Sequence, residues 1–112
     1  MHGVRRELIE EQAQSIGIPL WIAPLPWPCP NGRYGEVMAE VCQRAVNDGI
    51  EAVVFGDLFL EDIRTYREHM LAGTNLEPLF PLWGEHTQTL ARAMMAGGLH
   101  ARLGCIDRKK LD

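Results

Sequence analysis

Apolar residues recur along the chain at helical and strand spacings in turn. Val4, Leu8, Ile9, Ala13 and Ile16 stand on one face of a 3.6-residue period, and Gly17 comes next as a helix stop. Pro19 to Leu25 is an apolar run of strand length. Pro24, Pro26, Pro28 and Pro30 then make a stiff loop, because proline breaks both a helix interior and a central strand. Asn31 is an N-terminal cap signal for a second helix, in which Val37, Met38, Val41, Cys42, Ala45 and Val46 form one stripe that Gly49 ends. Ala52 to Phe55 reads as a strand, and Leu60 to about Leu71 as a third helix closed by Gly73. Leu76 to Leu82 contains Pro78 and Pro81 and reads as a short or edge strand. Thr87 to Ala96 is a helix stopped by Gly97 and Gly98, and Leu99 to Ile106 a last strand. Alternation on this scale predicts an α/β fold, a parallel sheet with helices on both faces. The first helix has no strand before it, so Met1 reads as an internal start.

Composition narrows the function classes. The 112 residues fit one domain, and 46% apolar content is ordinary for a chain with a core. A net charge of −4 and a basic run no longer than Arg108-Lys109-Lys110 give no sign of nucleic-acid binding. No apolar run approaches the roughly 20 residues of a membrane span, and no secretory leader opens the chain. Three cysteines without a CxxC pair argue against a disulfide framework and place the chain in a reducing compartment, the cytoplasm.

The residues around the second strand carry the candidate chemistry. Gly56 and Asp57 stand at its carboxyl end, where open α/β sheets bind ligands. By spacing alone the pair is more often a βα turn with the aspartate as helix cap. Glu61, Arg64 and Glu68 share a helical face; such a face is ordinarily solvated, yet Arg64 or Arg67 also fits a bidentate contact to phosphate or carboxylate. His69, His86 and His100 lack metal-ligand spacing, so no metal site is expected. Cys42 belongs on the apolar stripe, Cys29 in the proline loop and Cys105 in the last strand. Trp21, Trp27 and Trp83 read as packing residues. GxGxxG and GxxxxGK[ST] are both absent.

The stretch Phe55-Gly56-Asp57-Leu58-Phe59-Leu60-Glu61-Asp62-Ile63-Arg64-Thr65-Tyr66-Arg67-Glu68 resembles the central motif of the ATP-binding family that includes diphthine–ammonia ligase, within the pyrophosphatase-type adenine nucleotide alpha hydrolases. His2-Gly3-Val4-Arg5, Gln12-Ala13, Gly17-Ile18-Pro19-Leu20 and Pro81-Leu82-Trp83-Gly84 resemble further blocks in the family's order. The family's opening strand, Ser-Gly-Gly-x-Asp-Ser phosphate loop, helix and second strand have no counterpart here, nor does its glutamate- and glycine-rich C-terminal motif. The resemblance therefore implies one partial Rossmann-like domain over residues 1–112.

It also implies ATP and Mg²⁺ as cofactors, a carboxylate substrate adenylated and then amidated by ammonia, and no independent activity without the phosphate loop. A non-catalytic remnant or interaction module of the same fold is the alternative. Asp57, Glu61 and Arg64 become the implied catalytic residues. His2, Gly3, Gly56, Arg67 and Glu68 become implied nucleotide contacts, and Tyr66 a further site candidate with no assigned role. In the family's sheet the strands at 19–25 and 52–55 are separated by the two that have no counterpart. Either the remaining strands close that gap, or another chain fills it (a homo-oligomer or a partner), or the domain is marginally stable.

Overall fold

A computed structural model describes residues 4–103 and 106–110. Its elements are helix α1 (Arg6–Ile16), helix α2 (Asn31–Asn47), strand β1 (Ala52–Val54), helix α3 (Glu61–Leu71), strand β2 (Glu77–Leu79), helix α4 (Thr87–Ala96) and a 3-10 turn at Arg108–Lys110. β1 and β2 pair in parallel, with Ala52 opposite Glu77, Val53 opposite Pro78 and Val54 opposite Leu79. The ladder is extended by Glu77 N–H to Glu51 O and Phe55 N–H to Leu79 O, each 2.9 Å. Pro78 is tolerated because donors facing a neighbour alternate along a strand, and Glu77 supplies the one needed.

Helix ends coincide with the glycines. Gly17 has φ 73°, and Ile18 N–H reaches Ala13 O while Gly17 N–H reaches Gln14 O. Gly49, at φ 84°, closes α2 the same way, with Ile50 N–H on Ala45 O and its own N–H on Val46 O. Only a residue without Cβ takes this left-handed turn at no steric cost. The α2 cap position belongs to Pro30, one residue before the expected Asn31, and no side chain caps it.

The core is one cluster. Cys42 and Ala45 of α2 meet Leu71 of α3 and Leu76, and Val46, Val53, Phe55 and Met70 pack around them. The five-residue link from α3 to β2 is fixed by Thr74, whose Oγ1 donates to Leu71 O at 2.6 Å and accepts from Leu76 N–H at 3.3 Å. Burying Leu71 and Leu76, 3% and 5% exposed, contributes about 1.5–3 kcal/mol each.

Two expected strands do not form. Residues 18–28 pair with nothing and are all exposed. Pro19, Pro24, Pro26 and Pro28 lack ladder donors, and among the described residues no neighbouring strand receives the rest. Residues 99–103 and 106 are likewise not strand; Gly104 and Cys105 lie outside the described residues. The sheet therefore has two strands, and the described fold is helices with a small parallel sheet, a small α/β arrangement. α3 packs on β2 and α2 on α3, whereas among the described residues α1 and α4 pack on no other element. The accessible surface is 9772 Å² where a globular chain of this size shows about 6,200 Å². The radius of gyration is 16.2 Å against about 13 Å expected. No helix among the described residues is long and apolar enough to cross a membrane.

Candidate functional site

Both strands end at the same side, as parallel pairing requires, and the loops leaving them lie together. Gly84 N–H donates to Leu58 O at 2.8 Å, tying the loop after β2 to the loop after β1. Phe55 and Phe80 continue the register by one residue, and their rings stack at 5.5 Å. Trp83 meets Phe80 edge-on at 6.2 Å. These three rings form an aromatic floor beneath α3.

Two arginines of α3, one turn apart, bear on that floor. Arg64 sets its guanidinium 4.4 Å from the Phe80 ring and 4.7 Å from Trp83, in the corner between them. Its Nε donates to Glu68 Oε1 at 2.9 Å. Arg67 lies 4.6 Å over Phe55 and donates through Nε to Asp57 Oδ2 at 2.6 Å. The two ion pairs differ in kind. Asp57 and Arg67 are 17% and 27% exposed and bridge a loop to a helix, so their contact is charge-assisted and shielded. Arg64 and Glu68 are 34% and 49% exposed neighbours on one helix, a pair worth about 0.2–0.5 kcal/mol.

Of the residues singled out in the sequence, the fold joins Asp57, next to Gly56, to Arg67, and Arg64 to Glu68. Asp57 does not cap α3: that position is Leu60, and the carboxylate reaches Arg67 instead. A Cβ at Gly56 would meet nothing within 4 Å, so the space beside this strand end is open. The amides of Gly56, Asp57 and Leu58 have no partner among the described residues. Glu61 sits exposed in the first turn of α3, where a negative charge suits the helix dipole. It is not hydrogen-bonded to any described side chain. Tyr66 leans towards Tyr34 of α2, centroids 6.4 Å apart. His2 and Gly3 lie outside the described residues.

Cavities also open elsewhere among the described residues. One of about 360 Å³ between α2 and the 73–75 turn is lined by Cys42. Burial raises the Cys42 thiol above its ordinary value, which makes it a poor nucleophile. One of about 700 Å³ separates α1 from Gly98, Leu99 and His100. Trp27 is 96% exposed and packs on nothing, against expectation, while Trp21 lies under Arg44 at 4.0 Å. Sequence reading placed Trp83 in packing but did not join it to Arg64; the one signal was the Pro81–Gly84 block after a strand of its own.

Among the described residues no three His, Cys, Asp or Glu side chains converge as a metal site. Asp57 is spent on Arg67, so the carboxylates present do not fit Mg²⁺ by themselves. The arginine forks and open amides fit part of a phosphate group but form no full cradle. Comparisons with protein-family models, with curated proteins and with solved structures give no match for this chain.

Proposed function

We propose that the chain is a nucleotide-binding α/β module of the kind found in ATP-dependent amide ligases of the diphthine–ammonia ligase type. The supporting observation is the strand-end cluster: Arg64, Arg67, Asp57 and Gly56 gather where the carboxyl ends of two parallel strands meet, the position at which open α/β sheets bind ligands. In such a ligase a substrate carboxylate attacks the α-phosphorus of ATP and pyrophosphate leaves. Ammonia then attacks the acyl carbon, the acyl C–O bond breaks, AMP leaves with that oxygen, and nitrogen loses a proton to give the amide. Both steps build negative charge that a guanidinium stabilises. These 112 residues carry no phosphate loop, so ATP–Mg²⁺ binds them with a dissociation constant of about 1 mM or weaker, roughly −4 kcal/mol. Amide chemical shifts monitored during an ATP–Mg²⁺ titration test the reading. Changes centred on residues 56–68 are expected; changes confined to other elements, or none at millimolar nucleotide, would remove it. Micromolar calorimetric affinity would mean that another loop cradles the phosphates.

A second reading, an interaction module of the same fold, is favoured by residues 18–28. All eleven are exposed and none is charged. A second copy of the chain is the occupant this reading names. Light scattering decides: a monodisperse monomer rules self-association out, and a concentration-dependent dimer supports it.

A further inference from the structure

Two arginines on one helix, each on an aromatic ring and each holding a carboxylate, invite the same role. Their surroundings assign them different ones. We propose that Arg64 is an oxyanion receptor whose resident occupant is Glu68, and that Arg67 is a positioning residue that fixes the strand-end loop through Asp57. The assignment rests on the reading that this strand-end crevice is the binding site, and adds to it the ligand's chemistry and the residue that receives it.

The guanidinium of Arg64 is held from beneath in the corner of Phe80 and Trp83. A planar fork fixed in this way loses little freedom when it binds. Glu68 meets it at Nε, on one edge of the fork, and no described group is hydrogen-bonded to its two terminal nitrogens. The edge between the two terminal nitrogens stays available, and it is the edge that matches two oxygens of a phosphate or a carboxylate. Glu68 is the more exposed partner of a surface pair within one helix, so an incoming anion displaces or joins it at small cost. Arg67 shares none of this freedom. Its partner Asp57 belongs to another element and is the most shielded of the four groups, and the contact is the shortest at 2.6 Å. Displacing Asp57 would release the loop that carries Gly56.

The ligand class is a bidentate oxyanion, from a nucleotide phosphate or from the carboxylate substrate. Trp83 supplies the readout, because it touches the receptor. In the full chain carrying Trp21→Phe and Trp27→Phe, its fluorescence is recorded while inorganic pyrophosphate or acetate is added at constant ionic strength. Saturation with pyrophosphate identifies the phosphate source, and saturation with acetate the carboxylate source. Arg64→Lys is expected to abolish saturation while far-UV circular dichroism stays unchanged. Glu68→Gln, an exposed change, is expected to tighten binding about 1.4- to 2.3-fold, the worth of a surface pair. Arg67→Lys, which disturbs the anchor to Asp57, is expected to lower the melting temperature and to weaken binding while saturation is retained, unlike Arg64→Lys. The proposal is overturned if neither anion saturates, if Arg64→Lys binds like the parent, or if Glu68→Gln weakens binding. A saturating pyrophosphate response alongside a failed ATP titration would keep this receptor and remove the nucleotide reading.

Discussion

Helices α1 and α2 carry similar apolar stripes, yet α2 buries Val37, Cys42 and Ala45 while α1 buries nothing. The difference lies in the segment that each helix leads into. α2 runs through a tight glycine turn into β1, and short links carry the chain on to α3 and β2, so the stripe meets partners at once. α1 runs into residues 18–28, whose prolines cannot ladder and which find no neighbouring strand. An amphipathic face is a capacity to bury surface, and only a partner within reach turns it into stability.

Truncating a core leucine in one region and its counterpart in the other gives the largest contrast. Leu71→Ala should cost about 2–5 kcal/mol in urea denaturation, enough to unfold a marginal domain, whereas Ile16→Ala, 69% exposed, should stay within about 0.5 kcal/mol. Equal losses would mean that α1 is covered in solution.

Ion pairs sharpen the same contrast. Asp57→Asn should lower stability by about 1–3 kcal/mol, because it strips a charge-assisted bond from a shielded arginine. Glu10→Gln, which breaks the exposed Arg6–Glu10 pair of α1, should change it by no more than about 0.5 kcal/mol. A silent Asp57→Asn would show that the loop after β1 needs no anchor.

Thiol chemistry separates the two regions by pH. Burial holds the Cys42 proton more tightly in the folded state than in the unfolded chain. Its contribution is therefore intact at neutral pH and falls as the pH rises past about 9, the ordinary thiol value, because the unfolded state then loses protons that the folded state keeps. Peptide mapping after brief alkylation at pH 8 should find Cys29, in the proline loop, modified well before Cys42. Similar rates would mean that α2 opens readily. A stability profile of Cys42→Ala should lose the alkaline decline.

The smallest effect concerns the cation–π contact of residues 18–28 with α2. Arg44→Gln removes the cation over Trp21 and should cost about 0.5–1 kcal/mol or less, with a change in tryptophan emission. An unchanged spectrum would show that the segment does not rest on α2.

Local order was legible in the residues themselves. Glycines 17 and 49 end their helices where the spacing places them, and the six stripe positions of α2 are all buried or half-buried. Ala52–Val54 and Glu77–Leu79 form inside the runs read as strands, the second shortened as its prolines imply. The candidate site was legible as a set of residues but not as a set of contacts. Gly56, Asp57, Arg64, Arg67 and Glu68 could be picked from one stretch, yet a helical-face argument joins Glu61, Arg64 and Glu68 and leaves Asp57 for the cap. The pairing of Asp57 with Arg67, ten residues on, needs the loop to fold back over α3.

By itself, then, the sequence determined where helices start and stop, which face of α2 is apolar, and that strand and helix alternate. These depend on backbone sterics and on side chains a few residues apart. Tertiary structure alone decided that Pro19–Leu25 and the described residues 99–103 and 106 are not the strands their composition suggests, because a strand exists only by hydrogen bonding to a neighbour. It alone also decided that Arg64 rests on Phe80 and Trp83 while Arg67 is held by Asp57. Those contacts join residues far apart in the chain, and only the meeting of two parallel strand ends beneath one helix brings them within reach.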